Sequence, residues 1–200
     1  MTVEEIRDII DNSSEDSHKL LNKAYENIEL FDDMVFDEDS ITGKLRELSE
    51  GELAELSPTL EAFSYTECVG FKIGELNCKQ AAGEYNALTR TITIPEQYAD
   101  EDYILLHEMI HAHEHLLDEL HPVYREGLFL CLMEELKGKI DNLDELLLSF
   151  TRYSISTEMA NSNTHSALFV LKSLDLDLKM GYELGTVYAY GGLISDFIIE

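Results

Sequence analysis

The tightest constraint on how this chain can fold is a segment that must bury its own titratable groups. YILLHEMIHAHEHLL, Tyr103 to Leu117, sets four histidines and two glutamates into fifteen residues of otherwise apolar sequence. Ile104, Leu105, Leu106, Met109 and Ile110 mark a buried helix. Imidazole and carboxylate groups on such a helix carry a large desolvation cost unless something pairs them.

The pairing is written into the spacing. His107-Glu108-Met109-Ile110-His111 is an HExxH sequence. Residues four apart on a helix are rotated by only ~40° and lie ~6 Å apart along the axis. Both imidazoles therefore reach one zinc ion at about 2.0–2.1 Å. Glu108, one residue further round, is too far to be a ligand but is placed to touch a zinc-activated water and take its proton during attack on a carbonyl. His115 continues the stripe four residues after His111, but that shifted pair has Ala112 where the base belongs. His107 and His111 are thus the expected ligands, with His113 and His115 solvated or supporting.

The rest of the chain frames that helix. Thr2 and Glu5 form a capping box, Leu20 to Ile28 repeat at helical spacing, and residues 41–58 read as a weaker helical pair. Residues 1–60 form an expected helical N-terminal segment. FSYTECVGFKIGEL and ALTRTITI are β-branched, alternating and broken by glycine, which predicts a small sheet. Helices are expected at about 101–118, 122–138, 142–152, 156–172 and 183–199. Helices, a short sheet, then helices make an α+β chain rather than a doubly wound one.

Charge narrows the partners. Against 14 basic residues stand 41 acidic ones, a net charge of -27. Such a field repels phosphate backbones and anionic membranes, so neither nucleic acid nor membrane is an expected partner. It favours basic partners, although acidity also serves solubility alone. Three cysteines without CxxC spacing suit a reducing compartment, and MTVEEIRDII lacks a basic, apolar leader, so a cytoplasmic location is expected.

A catalytic zinc takes three protein ligands and keeps one position open. The metzincin continuation is absent, since Glu114 and Leu117 stand where that motif has glycine and histidine. Tyr124-Arg125-Glu126-Gly127-Leu128 follows instead, with fourteen residues between His111 and Glu126. HExxH followed by an aromatic-x-Glu-Gly helix resembles the gluzincin metallopeptidases, in particular the aminopeptidase-N-like and peptidase-MA-like branches.

The resemblance implies a zincin-like catalytic unit over residues 61–200 and Glu126 as the third zinc ligand. Glu134, Glu135 and Glu158 are weaker alternatives for that place. Tyr188, three residues before Gly191 in YAYGG, resembles the tyrosine that in these enzymes steadies the tetrahedral oxyanion, with Tyr190 and His165 in reserve. The strand ahead of the zinc helix, within AGEYNALTRTITI, would lie beside an extended peptide substrate. The aminopeptidase GAMEN signature is absent, so endopeptidase action on peptides or proteins is favoured.

LLHEMIHAH also resembles the SprT-like proteases, whose third ligand is a histidine in a later Gly-His-Gly segment; His121 is the counterpart considered in that reading. Outside catalysis, the alternative is an acidic interaction module that keeps a zinc site for stability.

Overall fold

The computed structural model describes residues 15–27, 29–32, 69–76, 81–118, 122–149 and 165–189. Thr2 and Glu5, the 41–58 pair, His121, Glu158 and Tyr190 lie outside the described residues, as do most of the segments expected at 156–172 and 183–199.

Helix α1 (Glu15–Asn27) and the single turn α2 (Glu29–Asp32) precede three strands: β1 (Gly70–Ile73), β2 (Glu84–Asn86) and β3 (Thr91–Ile94). A 3-10 turn over Glu96–Tyr98 leads into α3 (Asp102–Asp118), followed by α4 (Pro122–Lys137), a helical stretch over 143–149, and α5 (Ala167–Met180). The architecture is α+β.

The sheet has the order β1-β3-β2, with β1 parallel and β2 antiparallel to β3. Phe71, Ile92 and Tyr85 sit side by side across it. The period-2 pattern of TITI puts Ile92 and Ile94 into the core while Thr91 and Thr93 stay half-buried. The turn from β2 to β3 is closed by Asn86, whose Oδ1 accepts from Leu88 N at 3.0 Å and Thr89 N at 3.1 Å.

Helix α3 is the hub, packing against α1, β2, β3, α4 and α5. Seven consecutive residues, Ile104 to Ile110, are buried, so the helix is enclosed on every side rather than along one stripe. Lys23 of α1 ties down its first turn, with Nζ 2.8 Å from Asp102 Oδ1 and 3.1 Å from the Ala99 carbonyl.

Of the expected 156–172 segment, residues 156–164 lie outside the described ones; α5 takes up 167–172 and runs on to Met180. Ser166 caps it by accepting from Phe169 N at 3.1 Å, and Gly181, at φ 70, ends it in the left-handed region. The run Leu174-Asp175-Leu176-Asp177-Leu178 alternates as a strand would, which hides its helical periodicity. Both aspartates are buried with partners. Asp175 Oδ2 takes Lys172 Nζ at 2.8 Å and Lys179 Nζ at 3.3 Å. Lys172, itself buried, also donates to the Leu30 carbonyl at 2.5 Å and lies 5.1 Å from the Phe31 ring centre, joining α5 to α2.

His113 belongs to this packing. Its ring meets Phe31 edge-on at 5.9 Å, and burial first, with Lys172 second, holds it neutral by lowering its pKa from 6.5 to about 3. The unfolded chain then binds a proton that the fold refuses between pH 6.5 and about 3, so this ring's contribution to stability falls as the pH drops through that window. Replacing it in the His113→Leu variant removes that penalty. Denaturation in chelator at pH 7 and pH 5 should show wild type losing about 2 kcal/mol relative to the variant over this interval. An unchanged difference would mean that the folded ring takes up its proton normally.

Candidate metal centre

Three imidazoles converge where α3 meets the start of α5. His107 and His111 lie one turn apart on α3, and His165 stands just before the Ser166 cap. Their ring centres form a nearly equilateral triangle: 5.0 Å for His107–His111, 4.9 Å for His107–His165 and 5.1 Å for His111–His165. One ring nitrogen from each lies within 4.8 Å of the others. A tetrahedral zinc with bonds of 2.0–2.1 Å needs its ligands about 3.3 Å apart, a spacing within reach of small side-chain rotations.

Phe169 forms the floor, with its ring centre 4.8, 4.5 and 4.2 Å from those of His107, His111 and His165. The apolar setting decides the protonation state. Burial drives the His107 pKa well below 6.5, lowers His111 to about 3 and His165 to about 4, with repulsion between the rings adding at His107 and His111. Neutral imidazole is the ligating form.

The tautomer of His107 is set as well. Its Nδ1 lies 2.8 Å from the Val187 carbonyl. A carbonyl only accepts, so Nδ1 carries the proton and Nε2 the lone pair. Val187 is held in turn by buried Asp177, whose carboxylate accepts from Gly185 N at 2.6 Å and Val187 N at 2.9 Å. Burial pushes that carboxyl up to about 7 against the pull of these backbone donors.

The entrance to α5 is anchored to α3 by a second set of contacts. Glu114 accepts from Ser166 Oγ and, at 2.8 Å, from Arg125, which also reaches Asp118 at 2.6 Å. Burial raises the Glu114 pKa, and the Ser166 and Arg125 contacts oppose it. His165 is thus delivered by a residue bonded to the helix that carries His107 and His111.

Glu108 is 2% exposed. A Cβ added at Gly83 would stand 2.7 Å from its Cγ and 2.9 Å from its Oε1, so only glycine permits this approach. Two residues along, Tyr85 of β2 places its hydroxyl 2.8 Å from His115 Nδ1. β2 thus runs beside α3, pairing among the described residues with β3 alone.

The structure does not bring Glu126 to the imidazoles. Leu128, Leu132 and Leu136 form the buried stripe of α4, and Glu126, about 200° round the helix from Leu128, is exposed. Glu134 and Glu135 are exposed too. Among the described residues, the donors that converge are the three histidines. Tyr188 does reach the cluster: it is 4% exposed and meets the His165 ring edge-on at 5.0 Å.

The spacing within HExxH locates two donors, but fifty-three residues separate His111 from His165, and nothing local links them. The one available signal was a histidine directly before a serine cap and an apolar helix, HSALFVL.

The chain matches no protein-family model, no curated protein and no solved structure.

The approach of Gly83 to Glu108 predicts a coupled pair. Gly83→Ala should cost about 1–3 kcal/mol in denaturation experiments, and clearly less when Glu108 is also replaced by alanine. Equal costs in both backgrounds would show that the carboxylate is not what the new methyl meets.

Proposed function

We propose that this protein is a zinc-dependent peptidase of zincin-like design, with His107, His111 and His165 as the metal ligands and Glu108 as the general base. The observation that carries this reading is the third imidazole, brought from a distant segment to the HExxH pair. Three neutral nitrogen donors suit zinc, and they leave one position of a tetrahedral site for solvent or substrate.

A zinc ion held there supplies Lewis-acid polarisation of a carbonyl and acidifies water. The chain's own groups do the rest. Glu108 takes a proton from the attacking water as its oxygen adds to the scissile carbonyl. The same carboxyl then returns that proton to the departing amine nitrogen as the C–N bond breaks. Tyr188 is the candidate hydroxyl donor to the developing oxyanion, a contribution of about 2.7–4 kcal/mol in comparable sites.

The substrate is an extended peptide laid along the edge of β2 and paired through main-chain hydrogen bonds, on the segment whose Gly83 lies against Glu108. The net charge of -27 favours basic segments. Endopeptidase action fits this mode, since an added strand can continue in both directions.

A donor set of three histidines departs from the gluzincin pattern, which expects a glutamate. In ligand type it agrees with the SprT-like pattern, with His165 in the place given to His121. Thr164 and Ser166, however, flank His165 where that pattern has glycines. His111 and His165 are half-buried, but His107 at 0% and Glu108 at 2% exposure favour one further reading: a closed zinc site serving the stability of an acidic interaction module.

Metal content and peptide hydrolysis separate these readings. Glu108→Gln should bind one zinc per chain as wild type does, yet lose about 10²–10⁴-fold in hydrolysis of a mixed peptide library. His165→Ala should lose zinc, and Glu126→Ala should keep it. Zinc retained by His165→Ala would sink the proposed ligand set. Zinc bound by wild type without any cleavage would leave the interaction module.

A further inference from the structure

The residues that hold His107 in place end at a carboxylate which the proposed chemistry does not use. Asp177 lies in the last turn of α5 and is fully buried. Its backbone carbonyl accepts from Gly181 N and, at 2.8 Å, from Tyr182 N, which closes the helix. Its side chain then reaches past that turn to Gly185 N at 2.6 Å and Val187 N at 2.9 Å.

One residue thus grips the segment 181–187 at both ends. Gly185, at φ 93, supplies the backbone conformation that folds the segment round the carboxylate. Val187, held by its N–H, presents its carbonyl to His107 Nδ1 at 2.8 Å. Tyr188, next along, reaches the His165 ring at 5.0 Å.

We propose that Asp177 is a positioning residue that acts through Val187 to fix the ring orientation and Nδ1–H tautomer of His107, and thereby presents Nε2 to the metal. The consequence for metal binding rests on the zinc reading above; the effect on the tautomer does not. An anchored second partner on a ligating histidine typically supports 10–100-fold in metal affinity. Here the partner is a loop carbonyl, which cannot hold its place without the carboxylate behind it.

Two variants test this in the full-length protein. Asp177→Asn keeps the size but offers an NH2 group where one of the two backbone donors must find an acceptor. Gly185→Ala leaves the carboxylate and strains the loop from its other side. Ser173→Ala, on the same helix and donating to the Val170 carbonyl at 2.8 Å, is the control. The ring-nitrogen NMR shifts of His107 are read first in metal-free protein, and zinc affinity second.

Asp177→Asn and Gly185→Ala should both move His107 from a single Nδ1–H form towards a mixture and weaken zinc binding 10–100-fold. Ser173→Ala should match wild type in both. If Asp177→Asn does not fold, Gly185→Ala decides. Wild-type ring shifts in folded variants would overturn the proposal, whatever the zinc result. Altered tautomers in a protein whose wild type binds no zinc would instead uphold the role of Asp177 and remove the zinc reading.

Discussion

Everything in this structure answers to the burial of titratable groups along one helix. Helix α3 is enclosed on all sides from Ile104 to Ile110, and that interval includes His107 and Glu108. An apolar setting of this kind penalises charge heavily, and burial accordingly pushes the pKa of His107, His111, His113 and His165 below the ordinary imidazole value. Neutrality alone does not satisfy a ring nitrogen. For His107 Nδ1 the partner is the Val187 carbonyl, while the rings of His111 and His165 face it and Gly83 brings its backbone against Glu108.

Helix α5 supports this arrangement from both of its ends. At its start, Ser166 both caps the helix and bonds Glu114 of α3, so the residue before it, His165, is carried to the pair on α3. At its end, Asp177 folds the following segment back so that Val187 and Tyr188 meet the same cluster. Between them, Lys172 and Asp175 form a buried pair that reaches α2 through Leu30. Buried charges of this sort are costly when one partner is lost, which makes α5 intolerant of sliding or rotation. A helix fixed in this way holds His165 in one place.

Much of the local structure was legible in the chain. Helices expected at 101–118 and 122–138 appear as α3 and α4, and TITI forms a strand with its isoleucines inward. These segments carry strong periodic patterns and clear stop signals. Helix α5 was harder, because Leu174 to Leu178 alternate with aspartates and imitate a half-buried strand. The aspartates are there for partners distant in sequence: Lys172 and Lys179 for Asp175, and the 185–187 amides for Asp177. No periodicity rule registers such a need.

What the sequence by itself determined is the pair His107 and His111 with Glu108 beside them, because helical geometry alone fixes groups four residues apart. The third donor was decided by tertiary structure. Glu126 had the motif, but the leucine stripe of α4 turns it outward. His165 had no motif, yet the contact of Ser166 with Glu114 and the packing of Phe169 beneath all three rings place it inward. A cluster joining distant segments depends on which faces the core buries, and that is settled only when the whole chain packs.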